Sequence, residues 1–126
     1  MRLLFLGDIV GKTARTSLAE NLSNIKKKLL IDFVLVNAEN ATSGVGLSAT
    51  HAKLLFDAGV NCISLGDHAF DQNEMISFAE RENRIIRPIN YAKSAPGSGF
   101  RIFNLGVKKI LVLQVLGQVF MKKPFS

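Results

Sequence analysis

Three short apolar segments that each end in polar residues constrain the fold of this chain most strongly. Residues 2–6, 33–37 and 61–65 have the composition of buried β-strands. Between them, apolar residues at helical spacing predict helices over residues 14–30 and 48–57. Strands that alternate with helices favour right-handed crossovers, which make neighbouring strands parallel. We therefore expect an α/β fold, a mainly parallel sheet with flanking helices.

The second half of the chain is less regular. A third helix is predicted over residues 71–82, and prolines and glycines predict an irregular connection over residues 88–99. Two further strand-like runs, 100–104 and 109–115, indicate a β-hairpin. Because residues 110–115 are almost wholly apolar and only a short tail follows, we expect an exposed sheet that favours self-association or a second polypeptide.

Composition limits the class of protein. A chain of 126 residues, 48% hydrophobic and 21% charged, is expected to fold as one globular domain. Its mean hydropathy is +0.22, but no apolar run approaches the ~20 residues of a membrane span. The first residues lack the pattern of a secretory signal, so we expect a cytoplasmic protein without a membrane partner. The single Cys62 excludes an internal disulfide and is expected in the core.

The net charge of +6 does not by itself indicate a nucleic-acid-binding protein. The basic residues are scattered: Lys26–Lys28 close a predicted helix, while Lys108–Lys109 and Lys122–Lys123 lie in a predicted turn and a tail. No aromatic residues alternate with these lysines, as a base-stacking surface would require. We therefore expect a solvated basic surface and no dedicated nucleic-acid face.

The polar strand ends carry the candidate chemistry. In parallel sheets the ligand site lies beyond the carboxyl ends of the strands, where Asp8, Glu39, Asn40, Asp67 and His68 would meet. Crowded carboxylates repel one another unless a cation neutralises them, so the pattern indicates one or two divalent metals. Paired metals are suited to phosphoester hydrolysis, with His68 as proton donor. Taken singly, each acidic residue is better explained as a helix or turn cap, and only their combination favours a metal site.

A phosphate-binding loop is the alternative interpretation of the first polar segment. Gly7, Gly11, Lys12 and Thr13 follow a predicted strand and precede a helix, as in nucleotide-binding loops. Three residues separate the glycines, however, where that motif requires four. The segment is therefore not expected to bind a nucleoside triphosphate.

The motifs taken in order resemble the YmdB-like calcineurin-type metallophosphoesterases. They are GDIVGK at 7–12, NAEN at 37–40, LGDH at 65–68, RPINY at 87–91 and LGQVFM at 116–121. The resemblance covers nearly the whole chain and implies the amino-terminal half of an α/β/β/α sandwich, a single truncated domain over residues 1–126. It further implies a 2',3'-cyclic nucleotide phosphodiesterase with two divalent metal ions, iron or manganese and possibly magnesium.

By this resemblance each candidate residue acquires a role. Asp8 would bind the first metal, Glu39 would bridge both, Asn40 would assist, Asp67 would bind the second metal and His68 would be the general acid. Asp67 departs from the family, which usually has asparagine at this position. The family's further metal-binding histidines come from a carboxyl-terminal half that this sequence does not contain, and the only other histidine, His51, lies within a predicted helix.

Two interpretations therefore remain open. One is an impaired phosphodiesterase acting on cyclic nucleotides or related phosphodiesters, whose remaining metal ligands would come from a second polypeptide. The other is a non-catalytic remnant or interaction module that pairs with a second chain through its exposed sheet. Loss of metal binding on Glu39→Gln would favour the first interpretation.

Overall fold

The short apolar segments form one parallel sheet in a computed structural model, which describes residues 1–119 and 121. Its strands are β1 (Leu3–Leu6), β2 (Phe33–Asn37), β3 (Cys62–Ser64) and β4 (Ile85–Ile86), paired in that order and all parallel. The predicted α/β class and the three parallel strands are confirmed. The two-residue β4 was not predicted, because so short a run carries no periodicity.

Three helices connect the strands: α1 (Gly11–Leu29), α2 (Ala49–Asp57) and α3 (Glu74–Arg81). As predicted, Ser48 caps α2, its hydroxyl accepting a hydrogen bond from the His51 amide at 3.2 Å. The predicted beginnings of the other two helices were wrong by three residues, and their predicted ends were one residue late. α1 begins earlier than residue 14, and α3 begins later than residue 71 because Asp71 instead contacts His68 in the preceding loop. Within the described residues, no helix is long and apolar enough to cross a membrane.

The helices and the hairpin cover opposite faces of the parallel sheet. Val34 and Val36 of β2 and Ile63 of β3 are fully buried in the core on the helical side. The hairpin consists of β5 (Phe100–Leu105) and β6 (Lys108–Leu113), paired antiparallel as predicted. It packs on the other face, where the rings of Phe33 and Phe103 lie 5.0 Å apart between centroids.

Cys62 lies in the core between the parallel sheet and the hairpin, as expected from its apolar neighbours. Its side chain is fully buried, and burial raises the pKa of the thiol to about 12. A thiol in this environment stays protonated and inert at neutral pH. The lysine tail at 122–123 and Phe120 of the LGQVFM motif lie outside the described residues.

The outer face of the hairpin is apolar and exposed, in agreement with the expectation for residues 110–115. Cross-strand neighbours Ile102 and Leu111 are each 57% exposed. Phe5, on the parallel sheet, is 62% exposed, although phenylalanine is usually buried. The structure thus leaves an apolar sheet surface uncovered.

Candidate metal and phosphodiester site

Backbone hydrogen bonds connect the loop after β1 to the loop after β2. The Ile9 amide donates to the Asn37 carbonyl at 3.0 Å, and the Gly11 amide donates to the Asn40 carbonyl at 3.2 Å. Between them Asp8 adopts a left-handed backbone conformation with φ of 47°, which aspartate tolerates better than most residues. The Asn40 side-chain amide donates to Asp8 Oδ1 at 2.8 Å. The structure therefore brings these two predicted ligands into direct contact.

Glu39 connects the loop after β2 to the loop after β3. Its half-buried carboxylate lies directly against Gly66, where any Cβ atom would overlap it. The backbone amide of His68 donates to Glu39 Oε2 at 3.5 Å. Burial raises the pKa of Glu39, and the neighbouring Asp67 carboxyl raises it further. Two carboxyl groups are thus crowded together at the carboxyl ends of β2 and β3.

His68 has a hydrogen-bond partner that the sequence analysis did not single out. Its Nδ1 atom lies 2.5 Å from Asp71 Oδ2, and its Nε2 atom lies 3.9 Å from Asp67 Oδ2. The hydrogen bond to Asp71 is the main reason why the pKa of His68 is raised. The signal in the sequence is an acidic residue three positions after the histidine, at the predicted start of the helix over residues 71–82.

Tyr91 is a second residue whose role the sequence did not reveal. It is buried, and its hydroxyl donates to the Gly66 carbonyl at 2.7 Å. Burial raises the pKa of Tyr91 to about 12, and the negative charges of Asp67 and Glu39 add to this shift. The protonated hydroxyl therefore anchors the glycine against which the Glu39 carboxylate packs.

The predicted site residues form two neighbouring groups, Asp8 with Asn40 and Glu39 with Asp67 and His68. Among residues 1–119 and 121, no three His, Cys, Asp or Glu side chains form a group that could hold a metal ion. The donor set nevertheless fits a hard divalent cation, because its oxygen ligands suit Mg²⁺ or Mn²⁺ and a cation would relieve the crowding of the two carboxyl groups. These residues could therefore contribute oxygen ligands, although they do not form a complete metal site among the described residues.

His51 lies apart from these groups. It is half-buried at the start of α2, where its Nδ1 atom lies 2.8 Å from the Thr42 hydroxyl. Burial is the main reason why its pKa is lowered. Its contacts are those of a residue that orders the loop before α2.

Several known proteins resemble this chain in sequence and in structure. A 2',3'-cyclic-nucleotide 2'-phosphodiesterase of Bacillus subtilis (strain 168) is 31% identical over 121 residues, which cover 96% of this chain and 46% of that protein. A crystal structure of a hypothetical protein from Thermus thermophilus superimposes with a TM-score of 0.92 at 36% identity, covering all of this chain and 49% of that one. A phosphatase structure from Mycoplasma pneumoniae gives a TM-score of 0.89 at 36% identity, with 98% and 45% covered.

These matches extend over nearly the whole chain. The chain spans about half the length of the curated relatives it matches. The family described as YmdB-like protein matches residues 4–126. The resemblance carried by the strand-end motifs is confirmed, and the chain belongs to the YmdB-like family.

Proposed function

We propose that this chain carries half of a metal-dependent phosphodiesterase site that acts on 2',3'-cyclic nucleotides. The observation that carries the proposal is the grouping of Glu39, Asp67 and His68 at adjoining strand ends, with Asp8 and Asn40 in contact beside them. The name of the Bacillus subtilis relative supplies the substrate class.

Two divalent metal ions, of iron, manganese or magnesium, are the proposed cofactors. Asp8, Glu39 and Asp67 would hold them, and Asn40, whose side-chain amide donates to Asp8 Oδ1, would assist. When bound, such ions polarise a phosphoryl group and lower the pKa of water, so that a nucleophile is available at neutral pH. Asp67 adds a negative charge where the family usually has asparagine, which favours cation binding and raises the cost of an empty site.

His68 is the proposed general acid. Asp71 accepts at Nδ1, which fixes the ring and leaves Nε2 as the proton donor. Opening of the cyclic phosphodiester leaves negative charge on the departing oxygen, and protonation by His68 would stabilise it. The carboxylate of Asp71 favours the protonated form of the imidazole, which is the form that a general acid needs.

We propose low activity for this chain alone. The described residues contain no group of three metal-binding side chains of the His, Cys, Asp and Glu types, so metal retention should be weak. The relatives are about twice as long as the matched region, and their remaining part would supply further ligands.

Hydrolysis of 2',3'-cyclic AMP with added Mn²⁺ tests this proposal. We expect slow hydrolysis by the purified chain and background rates for Glu39→Gln, which keeps the shape of the side chain but removes its charge. Glu80→Gln is the matched control, since Glu80 is exposed on α3. Equal rates for all three proteins, or no Mn²⁺-dependent rate, would contradict the proposal.

An interaction module without catalysis is the second candidate. The exposed apolar residues of the hairpin favour it, because contiguous exposed apolar surface commonly marks an interaction site. In that case Glu39→Gln would change neither metal content nor hydrolysis. The measurement above therefore separates the two candidates.

A further inference from the structure

Two bulky apolar residues occupy turns at the amino ends of the parallel strands, the end of the sheet opposite the candidate site. Leu30 ends α1 in a left-handed conformation with φ of 54° and is 68% exposed. Glycine or asparagine is usual at such a position, because a branched side chain is strained there. Val107 follows Gly106 in the two-residue turn between β5 and β6, and its side chain is fully exposed. Neither residue is explained by packing within the chain.

The end of α1 and the hairpin turn border one surface. The Arg2 guanidinium donates to the Leu29 carbonyl at 2.8 Å, and the Arg2 backbone amide donates to Asp32 Oδ2 at 2.7 Å. Asp32 in turn lines a groove of about 520 Å³ together with Val107 and Lys108. The exposed apolar residues of the helix end and of the turn therefore lie beside one another.

Lysines surround these apolar side chains. Lys27 and Lys28 are exposed in the last turn of α1, and Lys108 and Lys109 are exposed directly after the hairpin turn. The carboxylate of Asp32 is already hydrogen-bonded to the backbone of Arg2, so it does not neutralise the lysines one by one. We call this surface the basic apolar end; its six residues are Lys27, Lys28, Leu29, Leu30, Val107 and Lys108.

We propose that the basic apolar end binds the surface of a membrane that contains anionic lipids. Charge complementarity argues for this occupant, because lysines near a bilayer attract anionic headgroups while apolar side chains enter the boundary between headgroups and acyl chains. A nucleic acid would also attract the lysines, but it would leave Leu30 and Val107 in water. No aromatic residue alternates with these lysines to stack on bases.

Attachment at this end would be peripheral. Within the described part of the chain no helix is long and apolar enough to cross a membrane. The expectation of a protein without a membrane partner rested on apolar runs and on a secretory signal, and neither reports a patch assembled from a helix end and a hairpin turn. The carboxyl ends of the strands would point away from the lipid, so Asp8 and Glu39 would stay accessible from solution. The inference does not depend on the proposed metal site or substrate.

Vesicle binding by the full chain tests the inference. A polarity-sensitive fluorophore is attached at Val107→Cys; Cys62 is fully buried and does not compete for the reagent. We expect its emission to shift to shorter wavelength with vesicles in which about a third of the lipid is phosphatidylglycerol. Vesicles of phosphatidylcholine alone should bind about tenfold or more weakly. The same fluorophore at Ile76→Cys, on α3, should not shift.

Leu30→Gly separates lipid binding from folding. Glycine adopts the φ of 54° without strain, so the variant should unfold at a higher temperature than the wild type. Its affinity for the anionic vesicles, measured by co-sedimentation of unlabelled protein, should nevertheless fall by about tenfold. Ile76→Ala and Phe5→Ala are the matched controls, because they shorten side chains that are 44% and 62% exposed outside the basic apolar end. Both should keep the wild-type affinity.

Four results would overturn the inference. They are the absence of a shift with anionic vesicles, equal affinity for the two kinds of vesicle, wild-type affinity in Leu30→Gly, and a loss of binding in Phe5→Ala as large as in Leu30→Gly. Tighter binding of single-stranded RNA than of vesicles, lost on Lys27→Gln but kept in Leu30→Gly, would also contradict it, because the lysines would then serve a nucleic acid.

Discussion

At the scale of single residues, His68 owes the orientation of its ring to one hydrogen bond. Its Nδ1 atom is bound to Asp71, so the ring is oriented by a residue that need not touch a substrate. Partners of this kind commonly change activity when they are removed, even though they take no part in the reaction. Asp71 is thus a positioning residue for the proposed general acid.

Asp71→Ala should lower the rate of cyclic nucleotide hydrolysis by about 10- to 100-fold, since the His68 ring loses its acceptor. Asp71→Asn retains an acceptor oxygen and should recover part of the rate, which a merely structural role would not predict. Asp57→Ala, at an exposed aspartate of α2, is the control. Wild-type rates in Asp71→Ala would show that the histidine needs no such partner.

Arg87 is a further residue whose role only the structure reveals. It is 8% exposed, and its guanidinium group donates to the carbonyls of Pro88, Ala95 and Pro96. The sequence predicted an irregular connection here, but no pattern could indicate that a buried arginine would order it. Loss of the guanidinium would leave carbonyls without a donor in a poorly hydrated environment.

Arg87→Met should therefore lower the free energy of unfolding by about 2–4 kcal/mol, measured by urea denaturation. Arg81→Met provides the comparison, because Arg81 is exposed on α3 and donates to the Ser77 carbonyl of its own helix at 3.2 Å. Substitutions at exposed positions usually change the free energy of unfolding by about 0.5 kcal/mol or less. Equal losses in the free energy of unfolding of the two variants would mean that the burial of Arg87 does not contribute to stability.

At the scale of elements, the sequence predicted most of what positions the site. The apolar runs are short and strongly bounded, so β1, β2 and β3 and their parallel arrangement followed from local pattern and crossover chirality. The beginning of α3 was not predicted correctly, because the interaction of Asp71 with His68 competes with helix formation and depends on the fold of the loop.

Contacts between loops are the part of the site that the sequence could not supply. The sequence predicted that these polar residues lie at one edge of the sheet. It did not predict which of them are neighbours, Asp8 with Asn40 and Glu39 with Asp67. The sequence did not indicate that Gly66 leaves room for the Glu39 carboxylate, since such a close contact produces no periodic pattern. Gly66 therefore offers a direct test of how the loops assemble.

Gly66→Ala should displace the Glu39 carboxylate, because the added methyl group would occupy its position. We expect a loss of about 1–3 kcal/mol in the free energy of unfolding together with loss of Mn²⁺-dependent hydrolysis. Gly117→Ala is the control, since nothing lies within 4 Å of the atom that it would add. Unchanged hydrolysis in Gly66→Ala would place Glu39 outside the site.

At the scale of the whole molecule, two features have one explanation. Among the described residues no three His, Cys, Asp or Glu side chains form a group that could hold a metal ion, and the edge strand β1 is apolar and pairs only with β2. Both are expected of a chain that spans about half the length of its curated relatives.

The most direct test of the central claim is the Mn²⁺-dependent rate of 2',3'-cyclic AMP hydrolysis, compared between the wild-type chain and Glu39→Gln. The account predicts a slow rate that needs both the metal and the Glu39 carboxylate, and a rate for Glu80→Gln equal to that of the wild type. A rate that survives in Glu39→Gln, or one that is absent from the folded wild-type chain, would contradict the claim that these strand ends form a phosphodiesterase site.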